Sequence, residues 1–264
     1  MFNILISGML IGIANIIPGI SGATLAVITN QYQRIIDNGG KVTGLQFKAV
    51  EWWYLLGIGA SAILGIYVFS WPLDFGLTYF EAHTLTLIIG LVMGSLGGVQ
   101  LSPENRNLKA RYVNLWFILG IVGVAIISLV TSSPQASAPT GPFLYMLSGA
   151  IAMMAMLIPG VSGAMILVLL GTYADVIQLI KAKDVIALLP FIVGAAIGGG
   201  GAIKSIQWLI KQYSGHFESF ILGAIIGSMG YIANQLSGST AHPVGLIAIL
   251  VVGIILAQRL THAR

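Results

Sequence analysis

The chain contains two closely similar segments, each of which interrupts a long apolar stretch with a Pro-Gly pair. The first reads GIANIIPGISGATLAVI and the second AMMAMLIPGVSGAMILVL. When residues 7–36 are placed on residues 148–177 without gaps, 12 of the 30 positions are identical. Farther along, LIIGLVMGSLGG at 87–98 matches FILGAIIGSMGY at 220–231. Apolar composition alone does not produce a shared PG-x-SGA, so the chain is a tandem duplication of about 130 to 140 residues.

The scarcity of charge places this duplicated chain in a membrane. The 264 residues include 12 Lys and Arg and 8 Asp and Glu, so charged residues are 8% of the chain, against about 25% in ordinary globular domains. Hydrophobic residues reach 57%. A soluble protein could not cover so much apolar surface with so few charges, and a disordered chain would not contain it. The composition predicts a polytopic membrane protein without a soluble domain, and it excludes a soluble enzyme.

Several residue types that carry chemistry are missing or dispersed. There is no cysteine, and the four histidines have no metal-ligand spacing. We therefore predict no metal, no cofactor and no catalytic residue. The net charge of +4 is interpreted as basic residues flanking membrane spans, so no nucleic-acid partner is expected. The N-terminal MFNILISGML lacks a basic region and an A-x-A site, which favours a retained membrane segment over a cleaved signal.

A window of about twenty residues, the length that crosses the hydrocarbon core, finds eight apolar stretches. They run over 2–30, 52–71, 84–100, 113–131, 143–171, 186–202, 217–235 and 244–258. The two stretches with Pro-Gly pairs are too long for one simple span, and the pair should break the helix. We predict an all-α single membrane domain over 1–264, in which each half is a re-entrant helical hairpin followed by three transmembrane helices. Repeat 1 covers about 1–131, a loop covers 132–142, and repeat 2 covers about 143–264.

Charge counting predicts that the two halves have inverted topology. If each broken stretch returns to its own side, the three full spans of each half place ten of the twelve basic residues on one face. Only Lys181 and Lys183 fall on the other face, so the positive-inside rule puts both termini in the cytoplasm. A single kinked span in place of each hairpin would make the halves parallel and would split the positive charge. Two complete short spans per stretch would keep the parity, so the depth of the hairpins is left open.

Paired broken helices in inverted repeats are typical of a transport site near the middle of the membrane. After the first Pro-Gly pair, SGAT at 21–24 opens a new half-helix, and SG at 162–163 opens the matching one. A helix N-terminus presents unpaired N–H groups and partial positive charge, which favours an anion. The hydroxyls add donors, although Ser21 or Ser162 can equally cap its own helix. The alternative is a Pro-Gly kink that only packs helices.

The two broken segments resemble the signature segments of the polyprenyl-phosphate translocase family, the PopT-type membrane proteins formerly classed as a domain of unknown function. The resemblance continues through LPFIVGAAIGGGGAIKSIQWLIKQY at 189–213 and covers most of the chain. The family pattern A-N-x-x-P-G-x-S-G-G-T is matched at Asn15, Pro18, Gly19, Ser21, Gly22 and Thr24. The resemblance implies a transporter, or flippase, of the bacterial or archaeal plasma membrane. Such a protein returns undecaprenyl phosphate from the outer to the cytoplasmic leaflet for the synthesis of peptidoglycan and other cell-envelope glycans.

The chain departs from the family pattern at a few positions. Ala23 and Ala164 stand where the pattern has a second glycine. The acidic residue expected after each hairpin is replaced by Gln33 in the first half and by Ala174 in the second. An acidic proton or cation partner is therefore not expected there.

The predicted site residues lie mainly at the two breaks. The phosphate-binding candidates are Asn15, Pro18, Gly19, Ser21, Gly22 and Thr24 in the first half, and Pro159, Gly160, Ser162 and Gly163 in the second. Two cations, Arg34 and Lys204, are candidates to pair with phosphate, and the alternative for each is snorkelling to the membrane interface. The titratable residues Glu81, His83, His216 and Glu218 are expected to be solvated at the ends of spans.

Three classes of function compete. A carrier of a polyprenyl phosphate lipid agrees with the resemblance, because a phosphate cannot cross hydrocarbon bare and a polar site would hold it while the tail stays in lipid. A secondary transporter or channel for a small anion or osmolyte explains the broken repeats equally well. An intramembrane lipid phosphatase is disfavoured, because no span carries paired carboxylates, a His-Asp pair, or a Ser with a nearby base. The predicted partners are the lipid and the bilayer, and a homo-oligomer is left open.

Overall fold

The computed structural model describes residues 2–17, 20–96, 114–131, 141–236 and 242–262, and all regular structure in them is helical. Repeat 1 contains α1 (Phe2–Ile16), α2 (Gly22–Ile28), α3 (Tyr32–Thr43), a 3₁₀ turn (Phe47–Ala49), α4 (Trp52–Tyr79), α5 (Glu81–Ser95) and α6 (Leu115–Thr131). Repeat 2 contains α7 (Pro142–Met156), α8 (Gly163–Leu169), α9 (Tyr173–Ala182), α10 (Val185–Gln235) and α11 (Pro243–His262). The all-α prediction is confirmed for these residues.

Both Pro-Gly stretches are broken, as predicted. In the first half α1 ends at Ile16 and α2 begins at Gly22, while Pro18 and Gly19 lie outside the described residues. In the second half the helix stops at Met156, and Gly160 adopts a φ of +89°, a conformation that residues with a Cβ rarely tolerate. The α8–α9 pair that follows is bent by 113°. Each break therefore yields a short seven-residue helix, α2 or α8.

The apolar helices differ in length. Within the described ranges, α4 and the Val185–Asn234 part of α10 are long and apolar enough to cross a membrane, and the bent pair α8–α9 would be a third if it is one span. The shorter apolar helices α1, α5, α6, α7 and α11 contribute segments of 10–17 residues. A helix of 17 residues is about 25 Å long, slightly less than the roughly 30 Å of hydrocarbon core.

The predicted apolar stretches 186–202 and 217–235 both lie in α10, which is kinked between them at Tyr213. Residues 203–212, which follow the first stretch, are helical up to this kink. Lys204 and Lys211 therefore lie on a helix. Residues 203–216 contain no proline, and their one glycine, Gly215, lies just after the kink, so the backbone before the kink continues in helical form even though it carries charge. The basic residues Arg106, Lys109 and Arg111 lie outside the described residues.

The kink in α10 has a counterpart in the first half. Tyr213 has φ −135° and ψ 39°, and Phe80, which separates α4 from α5, has φ −137° and ψ 40°. The two residues are 133 positions apart, which is also the offset between the similar segments 87–98 and 220–231. The two parts of α10, before and after Tyr213, thus correspond to α4 and α5.

Glycines set the closest helix contacts. At Gly12 a Cβ would overlap the backbone of Ala62, and at Gly194 it would overlap the carbonyl of Met146. Helices α1 and α4 therefore pack closely, as do α7 and the first part of α10. The four Gly-x-x-x-Gly segments that begin at Gly8, Gly90, Gly194 and Gly223 all make such close helix contacts.

The last helix of each half packs on the other half. Gly94 of α5 lies against the backbone of Ile254 in α11, and Gly227 of α10 lies against the backbone of Ile121 in α6. These two contacts are related by the offset of 133 residues. The halves are therefore interlocked, and neither packs as an independent unit.

The core lies where the first hairpin meets α5 and the second part of α10. Tyr32, Ile36, Leu85, Ile221 and Ile225 are fully buried there. Large apolar side chains on other faces are exposed, and Trp53 is 90% and Ile186 86% exposed. Such extensive apolar exposure is expected of a surface that faces lipid.

Candidate functional site

Polar groups of the first break hold the start of α2. The Gly22 N–H donates to Asn15 Oδ1 at 3.2 Å, and the Ala23 N–H donates to Ser21 Oγ at 3.2 Å. The Thr24 N–H donates to the carbonyl of Ser21 at 2.9 Å. Ser21 is thus the N-cap of α2. The first three N–H groups of this helix have partners within the protein, so a phosphate could use them only by displacing those partners.

The two hairpins meet through buried hydrogen bonds. The Gly160 N–H of the second break donates to Thr24 Oγ1 of α2 at 2.9 Å. The Tyr32 hydroxyl donates to the carbonyl of Leu157 at 2.8 Å. Thr24 and Tyr32 are 1% and 2% exposed. Side chains of the first hairpin therefore satisfy backbone groups that the break in α7 leaves without helical partners.

Exposure differs among the predicted site residues of the second break. Pro159 and Gly160 are buried, but Ser162 and Gly163 are half-buried and Ala164 is exposed. Ser162 makes no side-chain cap bond to α8, in contrast to Ser21. In the first half Asn15 is exposed, whereas Ser21, Gly22 and Thr24 are buried. The hydrogen bond between Thr24 and Gly160 brings these two described residues of the two halves together.

Arg34 is held by a polar cluster at the base of the first hairpin. Its Nε donates to Glu51 Oε2 at 3.1 Å, its Nη2 contacts the same oxygen, and its guanidinium stacks 3.9 Å from the ring centroid of Tyr54. Asn38 Nδ2 donates to Glu51 Oε1 at 3.1 Å, and Lys41 Nζ lies 4.0 Å from the same oxygen. The hydrogen bonds from Arg34 and then Asn38 hold the pKa of Glu51 below its ordinary value. Arg34 is thus an ion-paired residue in this conformation.

This cluster borders a polar cavity of ≈ 640 Å³, here called the polar vestibule. Its lining includes Gln33, Arg34, Asp37, Lys41, Glu51 and Gln207. Gln207 comes from α10, and its Nε2 donates to the carbonyl of Ile36 at 3.3 Å. Helices α3 and α10 therefore meet at one wall of the vestibule.

Lys204 lies apart from the two breaks, on an exposed position of α10. It forms no ion pair with any described residue. The two predicted cations thus differ in their pairing: the charge of Arg34 is neutralised by Glu51, whereas Lys204 is available to pair with an anion.

The expectation that Glu218 is solvated is wrong. Glu218 is 0% exposed and Ser219 is 1% exposed, because the helix continues through this segment and buries it against the core. Asn114, which precedes α6, donates to Ser219 Oγ at 2.9 Å. Glu81 and His216 are exposed and His83 is half-buried. No group of three His, Asp or Glu side chains suited to a metal occurs in the described ranges.

Tyr32 and Glu51 are the site residues that sequence reasoning overlooked. Tyr32 recurs as Tyr173 in the second half, and this repetition could have indicated that the position has a role at the site. Glu51 offered no comparable signal, because its partner Arg34 lies 17 residues away on another element.

Comparisons with known proteins agree with this architecture. A family model described as undecaprenyl phosphate translocase-like matches residues 1–112 and 105–243. A polyprenyl-phosphate transporter of Vibrio cholerae serotype O1 is 26% identical over 236 residues, which cover 85% of this chain and 75% of the relative. A polyprenyl-phosphate transporter of Staphylococcus aureus is 23% identical over 240 residues, which cover 85% of this chain and 83% of the relative. No solved structure matches.

The family match spans most of the chain, and both relatives are named as transporters and not as enzymes. Together with the apolar helices, it establishes a membrane transport protein. The chain belongs to the undecaprenyl phosphate translocase-like family.

Proposed function

We propose that this protein carries a polyprenyl phosphate, specifically undecaprenyl phosphate, from the outer to the cytoplasmic leaflet of a bacterial or archaeal plasma membrane. The observation that carries the proposal is the meeting of two Pro-Gly-broken segments at buried polar contacts, such as Thr24 with Gly160, inside an otherwise apolar chain. The names of the two relatives support the lipid phosphate as substrate. The returned lipid would serve again as carrier in peptidoglycan and other envelope glycan synthesis.

The proposed topology is an inverted repeat with re-entrant hairpins and both termini in the cytoplasm. Ten of the twelve basic residues support it, since they fall on one face under this arrangement. The backbone angles at Phe80 and Tyr213 are nearly equal, and α6 and α11 each pack on the opposite half. Both features are compatible with two halves that share one architecture. Inverted halves give a carrier two exchangeable conformations, one open to each leaflet.

The phosphate is proposed to bind between the two breaks. The residues involved are Asn15, Pro18, Gly19, Ser21, Gly22 and Thr24 from the first half and Pro159, Gly160, Ser162 and Gly163 from the second. Among those of these residues that the structure describes, Asn15 is exposed and Ser162 and Gly163 are half-buried, so they are the ones accessible to the head group in this conformation. The hydroxyls of Ser21 and Thr24 become donors to the phosphate once their present hydrogen bonds are exchanged.

Alternating access is supported by a difference between equivalent residues. Tyr32 is 2% exposed and bonded to the Leu157 carbonyl, whereas Tyr173, its counterpart 141 positions later, is 41% exposed. In the exchanged conformation the hydroxyl of Tyr173 would donate to the carbonyl of Ile16, the counterpart of Leu157. One hairpin at a time would then close the site.

Depletion of the protein in cells tests the proposed function. In a strain that has no other carrier for the lipid, depletion should raise the amount of undecaprenyl phosphate on the outer surface, measured with a fluorescent reagent that binds the lipid head group. Re-expression of the intact chain should restore the original amount. Surface labelling that does not change on depletion would refute the proposed function.

A further inference from the structure

An apolar cleft of ≈ 600 Å³ opens beside the tip of the second hairpin. Helices α6, α7 and both parts of α10 form its walls, and its lining includes Trp116, Ile158, Trp208, Leu209 and Phe217. Ile158 directly precedes the Pro-Gly pair of the second break, so one end of the cleft adjoins the proposed head-group region. The volume falls within the roughly 300–1,000 Å³ of small-ligand sites. The cleft therefore suits a hydrocarbon segment held next to the break.

Lys204 marks the polar end of this apolar cleft. An adjoining cavity of ≈ 390 Å³ is lined by Lys204, Ser205, Trp208 and Leu209, and the last three also line the cleft. Lys204 is nine residues before the kink at Tyr213, or ~13 Å along a helix. It follows a long apolar part of α10. A cation in that position is a functional candidate because its desolvation needs a compensating partner.

Helix geometry places Lys204 between two different environments. On a helix, residues three and four positions apart are neighbours, so Lys204 adjoins both Gln207 and Trp208. Gln207 lines the polar vestibule, and Trp208 lines the apolar cleft. Lys204 thus lies on the helix between a residue of the polar vestibule and a residue of the apolar cleft. An amphiphile with an anionic head group and a hydrocarbon tail matches that boundary in charge and in polarity.

We propose that Lys204 and the apolar cleft form a binding site for one polyprenyl phosphate molecule. The Lys204 ammonium pairs with the phosphate, and the cleft holds the isoprene units next to it, while the rest of the tail stays in lipid. This inference rests on the proposed function for the identity of the lipid. It assigns the cation's role to Lys204 and not to Arg34, whose guanidinium is paired with Glu51. On the proposed topology the site faces the cytoplasmic leaflet and is the place from which the lipid leaves.

Binding measurements on single variants test the role of Lys204. The intact chain in lipid nanodiscs is titrated with radiolabelled polyprenyl phosphate. Lys204→Gln should weaken binding about tenfold, and Lys204→Arg should retain most of it because the charge remains. The matched control is Lys211→Gln, which removes a charge from the same helix outside the cleft and should change nothing. Equal affinities of Lys204→Gln and Lys211→Gln would overturn the proposal.

Two further ligands separate the lipid from its components. A neutral polyprenol should bind weakly and with an affinity that Lys204→Gln does not change. Inorganic phosphate in excess should not displace the lipid, because it cannot occupy the cleft. Displacement by inorganic phosphate at low concentration would overturn the proposal in favour of a free anion site.

Photolabelling tests the position of the tail. A polyprenyl phosphate with a diazirine in the isoprene unit next to the phosphate should label peptides that contain Trp208 or Phe217. Trp208→Ala should lower this labelling, and the control Trp53→Ala, on a 90% exposed residue outside the cleft, should not. Label confined to other surfaces would overturn the inference.

Transfer between leaflets, measured on the same variants in vesicles, separates this inference from the proposed function. If labelling and binding depend on Lys204 but the wild-type chain transfers no lipid, the binding site stands and the proposed function fails. If transfer is normal in Lys204→Gln and label lies elsewhere, the function stands and the site is wrong.

Discussion

Single residues divide into those that a local pattern predicts and those that only the fold reveals. Ser21 and Ser162 each follow a Pro-Gly pair and precede a helix, so a cap at either serine was an available alternative from the local pattern. The structure shows the cap bond at Ser21 and none at Ser162. The pairing of Arg34 with Glu51 was not foreseen, because it joins α3 to a residue beyond the following turn. The burial of Glu218 was also missed, since a charged residue next to an apolar stretch is typical of the end of a membrane span. Long-range packing decides both cases.

The two cap serines give a matched pair of substitutions at the residue scale. Ser21→Ala should destabilise the protein by about 1 kcal/mol, because it removes the acceptor of the Ala23 N–H. Ser162→Ala should leave stability unchanged, because Ser162 makes no cap bond. Thermal unfolding of both variants in detergent measures the difference.

The double variant should also bind polyprenyl phosphate more weakly than wild type. Equal stability of the two single variants would contradict the assigned cap, and wild-type affinity of the double variant would leave the breaks with a packing role.

The lowered pKa of Glu51 predicts a dependence on pH. Because the folded-state pKa lies below the ordinary Glu value of about 4.3, the Arg34–Glu51 pair stabilises the fold fully above that value. The stabilisation is lost as the pH falls through the lowered pKa. We therefore expect amide hydrogen exchange of α3 and residues 44–51 to become faster, relative to the intrinsic rate of an unstructured chain, as the pH falls through this pKa. Brief exchange labelling measures this change. Glu51→Gln should show high exchange of this segment at neutral pH and no such transition. A transition of wild-type size in Glu51→Gln would assign the pH dependence to another group.

At the scale of elements, helix breaks were predictable and helix continuity was less so. Pro-Gly acts through its own backbone, so both hairpin breaks could be located from the sequence. The kink at Tyr213 has no proline, but Ser214-Gly215 follows it directly, and its backbone angles match those of Phe80 in the first half. Lys204 and Lys211 follow the apolar stretch 186–202 as span-flanking charges would, yet the helix continues through both of them to the kink. Charge marks a membrane boundary, but it does not end a helix.

The small-residue helix contacts lead to a prediction at the element scale. Gly194→Ala places a Cβ against the Met146 carbonyl, and since a backbone cannot rotate away, it should destabilise the protein by about 1–3 kcal/mol. Gly201→Ala, on the same helix with no atom within 4 Å of the added Cβ, should be neutral or stabilising by up to about 1 kcal/mol. Unfolding of the two variants in detergent gives the comparison. Similar stabilities would show that α7 and α10 are not held at the close distance described.

The whole molecule consists of two similar halves whose present conformations differ. Helix α3 packs on α10 through Gly39 and Gly40, whereas their counterparts in α9, Ile180 and Lys181, are bulky. In the described part of the chain α9 has no comparable packing against α4. The repeated segments show the duplication in the sequence, but they do not show this asymmetry, because it depends on contacts between elements far apart in the chain.

A reversible cross-link tests whether the first hairpin must move. The chain has no cysteine, so a pair can be introduced without background. A Cβ at position 39 would lie 3.6 Å from Ile203 Cγ1, so side chains at positions 39 and 203 are in direct contact. Oxidised Gly39→Cys/Ile203→Cys should lose transport of polyprenyl phosphate, and reduction should restore it, while each single variant transports in both conditions. Full transport by the oxidised pair would mean that α3 stays on α10 throughout the cycle.

The central claim is that this chain alone moves a polyprenyl phosphate across a bilayer. The most direct measurement uses the intact protein, purified and reconstituted in vesicles that contain fluorescent undecaprenyl phosphate in both leaflets, with a membrane-impermeant reagent to report the accessible fraction over time. We predict that protein-containing vesicles expose the inner-leaflet pool to the reagent much faster than protein-free vesicles. A fluorescent phosphatidylcholine should not be accelerated. Identical time courses with and without protein would contradict the claim.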